Sequence, residues 1–220
     1  MRFEEYVAGK TIAVVGPAVP VGDQSADIEG HDLVYRLAQR PKHIPEYGTR
    51  IDIVYLNGKL GRTILDDDMR EHYEFAAPAS WWVYKMKHGR QFRPNGQQRQ
   101  AHKPDIRNEN AITGVLWDLL QFPVESITIY GTDLFASGPQ GSYHPSEEPD
   151  GAPPEMLAWF PLHRPFEQLH THRRMVATGK IVGDDRYLAA ATMTDAEYQA
   201  VVDEWEAAYE KYQAGVPALT

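Results

Sequence analysis

Two stretches carry histidines in settings suited to acid–base work. In SYHPSEE, His144 follows Tyr143, and in PLHRPFEQLHTHRRM, His163 stands four residues before Glu167. Imidazole titrates near neutrality, so a placed histidine can move a proton in a transition state, typically for about 10² to 10⁴ in rate. Seen singly, each reads as an ordinary surface residue. A third stretch, KTIAVVGPAVPVGD at 10–23, has a β-branched run that stops at Gly16 and gives way to Pro17 and Ala18. A strand ending in a glycine loop lets backbone approach a nucleotide phosphate, and it equally lets a core strand turn a tight corner.

Such groups need a scaffold to bring them together. TIAVVG (11–16), DLVYRL (32–37), RIDIVYL (50–56), WWVYKM (81–86) and SITIYG (126–131) are short apolar runs bounded by turn residues, and they predict buried strands. Between the last two, Ile112, Val115, Leu116, Leu119 and Leu120 recur at helical spacing. Strand, helix and strand in alternation predict an α/β fold with a largely parallel, doubly wound sheet in one domain over 1–220. Thr194 and Glu197 form a capping box ahead of a helix over about 195–213. Its stripe of Tyr198, Val201, Val202, Trp205, Tyr209 and Tyr212 is expected to pack on the domain. Residues 88–107 and 134–161 lack apolar periodicity and read as long exposed loops, the kind that serve as lids or binding loops.

Composition narrows the classes. A chain of 220 residues with 42% hydrophobic and 24% charged residues is not disordered throughout. No apolar run approaches the roughly 18 residues of a membrane span, and MRFEEYVAGK lacks the pattern of a signal peptide. The absence of cysteine excludes disulfides and thiolate chemistry and fits a reducing compartment, so the expected location is cytoplasmic. A net charge of -9 works against non-specific adhesion to nucleic acid. Locally, however, Lys85, Lys87, Arg90, Arg93, Arg99, Lys103 and Arg107 are opposed only by Asp105. This run is either a solvated loop or a cationic lip for an anionic ligand. Asp66 and Asp68 have the spacing of a metal-binding pair, but they suit a helix N-terminus better. His170 and His172 cannot share a helical face at i and i+2, so no metal is expected there. His31, in an apolar run, reads as a capping or hydrogen-bonded residue.

Taken in order, several of these stretches resemble the motifs of the sialyltransferase family. The segment from Gly16 through DIEGHDLVYR to YGTRID resembles the large sialyl motif at Gly16, Asp27, His31, Asp32, Val34, Arg36, Gly48, Arg50 and Asp52. AITGVLWDLLQFPVESITIYGTD resembles the small motif at Thr113, Gly114, Tyr130 and Gly131. A helix start of this kind presents amides and partial positive charge that stabilise an anion by about 0.3 to 1 kcal/mol. Tyr143 with His144, and His163 with Glu167, resemble the family's His-aromatic and terminal His/Glu motifs. The resemblance covers about residues 10–183. Pro17 and Ala38 stand where members usually carry Asn, and Ile112 where they carry Ser. The terminal motif is one residue shorter than usual between His and Glu. The cysteines that pair across the two motifs in animal members correspond to about Ile12 and Val124.

The resemblance implies a single Rossmann-like domain, the sialyltransferase-like variant of the GT-A architecture, with its site at the carboxyl ends of the strands. It implies a metal-independent, inverting glycosyltransferase that needs no cofactor beyond its nucleotide-sugar donor, expected to be CMP-linked. The donor would lie between the Gly16, Pro17, Ala18 loop and the Thr113–Gly114 helix start, with Arg36, Tyr130, Gly131 and Tyr143 around it. His163 would deprotonate a hydroxyl on a glycan, a protein or a modified nucleic acid, and His144 would assist departure of the phosphate. Arg36 and Asp52 would shape the site. Two other readings stand beside this one. Pro17, Ala38 and Ile112 suggest a nucleotide-binding protein that has lost transfer, and the basic 85–107 segment suggests a nucleic-acid-modifying enzyme or adaptor. The sequence sets no oligomeric state.

Overall fold

Apolar residues at both alternating positions mark a strand covered on both faces, and the computed structural model has such strands at its centre. It describes residues 1–18, 20–37, 44–56, 70–85, 96–106, 109–139, 157–158 and 160–215. The described strands are β1 (Thr11–Val15), β2 (Leu33–Leu37), β3 (Ile53–Leu56), β4 (Trp81–Tyr84), β5 (Gln97–Gln100), β6 (Ser126–Tyr130) and β7 (Ile181–Gly183). They form one all-parallel sheet in the order β5-β4-β3-β2-β1-β6-β7. The described helices are α1 (Phe3–Val7), α2 (Ser25–Glu29), α3 (Arg70–Ala76), α4 (Ala111–Leu119), α5 (Pro165–Val176), α6 (Asp185–Thr192) and α7 (Asp195–Gln213). Short 3₁₀ turns lie at Pro45–Tyr47 and Pro161–His163.

Period-two alternation sorts the core into layers. Ile12, Val14, Tyr35, Ile53, Tyr55 and Val83 share a cluster with Val7 of α1, Val115 of α4, Leu169 of α5, Tyr187 of α6 and Trp205 of α7. Their neighbours in sequence point the other way: Ala13, Val15 and Val34 meet Ile28 of α2 and Tyr47, while Val54, Leu56 and Trp82 meet Phe75 and Ala76 of α3. Ile12 and Val124 are both buried in the first cluster.

Strands β1 to β5 spread from β1 in one direction, and β6 and β7 lie on its other side. The order therefore reverses between β1 and β6, and open parallel sheets bind ligands outside the carboxyl ends of the strands at such a switch point.

Two expectations need correction. Residues 97–100 are not loop but edge strand β5, whose residues are mostly exposed. An edge strand with one neighbour needs no apolar run, so no hydrophobic signal announced it. At the other edge, β7 has only three residues. The capping box of α7 forms as expected, with the Glu197 amide donating to Thr194 Oγ1 at 3.2 Å and the Thr194 amide to Glu197 Oε2 at 2.7 Å. Its apolar stripe, however, ends before Tyr212, which is 46% exposed, because the last turns run past the body they pack on.

Candidate functional site

At the switch point the segments leaving β1 and β6 are zipped together. The Gly16 amide donates to Tyr130 O at 2.8 Å and the Ala18 amide to Gly131 O at 2.9 Å. A Cβ on Gly16 would lie 2.4 Å from Gly131 O, so only glycine permits this approach. Gly131 itself has φ 64°, and a Cβ there would meet the Tyr47 hydroxyl at 2.7 Å. That hydroxyl donates to Ala18 O at 2.7 Å, and the Arg186 guanidinium of α6 also reaches it. Asp184, the N-cap of α6, closes the far side, accepting from the Tyr187 amide at 2.8 Å. Of the two roles open to the Gly16 loop, the structure shows the tight corner: the amides of Gly16 and Ala18 are spent within the protein, and Pro17 has none.

The start of α4 is built into the core. Asn110 Oδ1 accepts from the Thr113 amide and from Thr113 Oγ1, both at 2.8 Å. Thr113 Oγ1 also contacts Gln168 Oε1 and, at 2.9 Å, His172 Nε2. Gly114 is required because a Cβ would stand 2.8 Å from the Tyr55 hydroxyl. Beside Tyr55, Glu109 is buried and receives Lys85, whose Nζ donates to Glu109 O at 2.7 Å and lies 3.3 Å from Glu109 Oε1. Burial, and then the Glu109 carboxylate, push the Tyr55 hydroxyl well above its ordinary pKa and keep it protonated. Thr113 and Gly114 therefore form a wall of the carboxyl edge rather than an exposed phosphate cradle.

His163 occupies the last position of the 3₁₀ turn ahead of α5 and is half-buried. Its ring stacks on Phe135 with centroids 6.4 Å apart and planes at 23°. Its carbonyl accepts from Gln168 Nε2 at 3.0 Å. The same Gln168 touches Thr113, so one side chain ties the His163 turn to the start of α4. Glu167 pairs with exposed Arg164 at 2.6 Å. A half-exposed imidazole stacked on an aromatic ring, with its backbone held by Gln168, at the edge where open parallel sheets bind ligands, is equipped to take a proton from a bound hydroxyl.

Neither the protein-family models nor the curated proteins compared with the chain match it.

Other candidate residues do structural work. Arg36 is 5% exposed, and it donates through Nε to Arg50 O at 2.8 Å and through Nη2 to Tyr47 O at 2.6 Å and Gly48 O at 3.1 Å. Burial lowers its pKa to about 10. It thereby holds the chain around Tyr47. The Tyr130 hydroxyl donates to Asp27 Oδ2 at 2.5 Å, on the α2 face. His31 contacts Asp27 O and Thr128 Oγ1, each at 2.9 Å, as its hydrogen-bonded reading expects. Asp32 accepts from the Thr11 amide, and Asp52 accepts from the Val34 amide and pairs with Arg50 at 2.8 Å. Both carboxylates serve the amino ends of the strands, so Asp52 does not shape a site at the carboxyl edge.

The basic run is partly neutralised. Arg99 makes two bonds to the fully buried Asp118, at 2.5 and 2.7 Å, and Lys85 is held by Glu109. A lip built from these two cations is therefore corrected: each is committed to an internal carboxylate. Tyr143, His144, Ala38, Asp66, Asp68, Lys87, Arg90, Arg93 and Arg107 lie outside the described residues. Among the described residues no group of three potential ligands of the His, Asp and Glu types could hold a metal ion, and no helix is long and apolar enough to cross a membrane.

Sequence reasoning missed Gln168, Phe135, Tyr47 and Arg186. Gln168 lay within the quoted terminal stretch and sits one residue after Glu167. The other three carry no local signal, because their roles come from partners distant in the chain.

Proposed function

We propose that the protein is a glycosyltransferase related to the sialyltransferases, which binds a nucleotide-sugar donor at the carboxyl edge of β1 and β6. His163 is the general base on the acceptor hydroxyl. The acceptor oxygen attacks the anomeric carbon as its proton passes to His163, and the bond to the nucleotide phosphate breaks on the opposite face, which inverts that centre. His144 assists the departing phosphate, which on the motif resemblance belongs to CMP.

One observation carries this reading. His163 is linked through Phe135 to the turn that follows Gly131 and through Gln168 to Thr113. The stretches that resemble the terminal and the small motif thus meet at one edge of the sheet, where the Gly16 amide's bond to Tyr130 O adds the stretch that resembles the large motif. Gly16, Ala18, Thr113 and Gly114 support the site as its walls, since their own polar groups are satisfied within the fold.

Calorimetry with CMP, CDP, UMP, UDP, GDP and AMP, followed by turnover of CMP-activated sugars, tests the reading. Selective CMP binding in both wild type and His163→Ala, with turnover lost only in the variant, is the expected result. Wild-type turnover by a folded His163→Ala protein overturns the base assignment, and no binding of any nucleotide overturns the transferase reading itself.

A further inference from the structure

The turn that carries Phe135 is built against the preference of its residues. Leu134 has φ 53° and Phe135 has φ 68°, and the Ala136 amide donates to Asp133 O at 2.9 Å. Two successive positive φ values closed by an i to i+3 bond are the pattern of a type I′ turn, whose central positions belong to Gly, Asn and Asp. Leucine and phenylalanine there are strained, and such strain persists only where the surroundings over-determine it.

The surroundings are specific. Asp133, 1% exposed, accepts from the Phe135 amide at 3.0 Å, from the Ser137 amide at 3.1 Å and from Ser137 Oγ. The carbonyls of the two strained residues face α7, where the Tyr198 hydroxyl donates to Leu134 O at 2.7 Å and Trp205 Nε1 to Phe135 O at 3.1 Å. Trp205 also stacks on Phe160 at 4.6 Å and meets Phe135 edge-on at 5.7 Å. Phe135 then presents its ring to His163. Glycine would relieve the backbone but could not carry that ring.

We propose that Trp205 and Tyr198 are positioning residues: by holding the left-handed Leu134–Phe135 pair, the C-terminal helix fixes the His163 imidazole. The inference rests on the reading of His163 as general base, but the positioning itself has a readout that needs no substrate.

The test uses the full chain, labelled for NMR, with the His163 imidazole assigned by its absence in His163→Gln. In wild type, cross-relaxation is expected between the His163 and Phe135 rings, and between the His102 and Phe122 rings, which lie 5.4 Å apart beside Asp118 and do not involve the turn. Trp205→Phe removes the donor to Phe135 O but keeps a ring for Phe160, and Tyr198→Phe removes only the hydroxyl. Each is expected to weaken the His163–Phe135 signal and leave the His102–Phe122 signal intact. An unchanged His163–Phe135 signal in both variants, or parallel loss of both signals, overturns the proposal. Should either variant fail to fold, the other still decides. In the CMP-sugar turnover assay both variants are expected to lower kcat on the order of tenfold or more with KM nearly constant, because sub-ångström misplacement acts on the chemical step. An equal change in KM overturns positioning. If the wild type turns over no CMP-sugar, the transferase reading falls while the ring-contact result stands by itself.

Discussion

Thr113 Oγ1 lies 2.9 Å from His172 Nε2, deep between α4 and α5, and this contact fixes the protonation of a buried histidine. Thr113 has one hydroxyl proton, and the oxygens of Asn110 and Gln168 both face it as acceptors. Its proton is committed to one of them, so His172 Nε2 must be the donor to Oγ1. Burial keeps the ring neutral, so Nδ1 is the acceptor for the Tyr187 hydroxyl at 3.0 Å.

A neutral imidazole is built into the fold because burial lowers the His172 pKa from 6.5 to about 3. The unfolded chain takes up a proton below about pH 6.5 that the folded chain refuses until about pH 3, so His172 favours folding above 6.5 and this contribution is lost as pH falls. The loss is about 1.4 kcal/mol per pH unit, or about 2 kcal/mol between pH 6.5 and 5. Urea denaturation at the two pH values is expected to show this drop, and His172→Gln is expected to flatten it. An identical slope in the variant would rule out His172 as its source.

Arg99 and Asp118 form the most enclosed ion pair among the described residues. The guanidinium lies over the rings of both Phe3, at 4.4 Å, and Phe122, at 4.9 Å, and Asp118 also accepts from the His102 amide at 2.7 Å. Removing one partner strands the other charge, so Arg99→Met should cost about 3 to 5 kcal/mol. Replacing both, Arg99→Met with Asp118→Leu, should recover most of that loss. A double variant as unstable as the sum of the single ones would contradict the account.

Tyr35 is wholly buried, and its hydroxyl has no hydrogen-bond partner among the described residues. An unsatisfied buried polar group costs about 1 to 3 kcal/mol. Tyr35→Phe is expected to raise the urea midpoint by the equivalent of about 1 kcal/mol. A clear fall in the midpoint would show that the hydroxyl is satisfied in solution.

Gly16→Ala and Gly9→Ala separate packing from conformation. Gly9 has φ 63° with nothing within 4 Å of a Cβ, so alanine there meets only backbone strain, about 1 kcal/mol. At Gly16 the new methyl would meet backbone 2.4 Å away and must part the β1 and β6 segments, at about 1 to 3 kcal/mol. The Gly16 variant is expected to lose more stability and to weaken any nucleotide binding, whereas Gly9→Ala leaves binding unchanged. Equal binding by both would remove the switch-point joint from the site.

The sequence by itself determined the layers. Apolar runs at 11–16, 32–37, 50–56, 81–86 and 126–131 each contain a described strand, and the Thr194–Glu197 box starts α7 at the expected residue, because strand burial and helix capping are written in neighbouring residues. Polar β5 and three-residue β7 escaped, since an edge strand draws its definition from the partner's backbone. The candidate site divides the same way. His163 entered as a candidate through its motif resemblance, but the spending of Gly16, Ala18, Arg36 and Thr113 on internal partners was not legible. Nor was the left-handed turn at Leu134–Phe135, where Tyr198 and Trp205 act across 64 and 70 residues. Local chemistry sets which groups are available. Only tertiary packing decides which of them are consumed by the fold and which stay open to a ligand, because a hydrogen bond depends on distance in space and not along the chain.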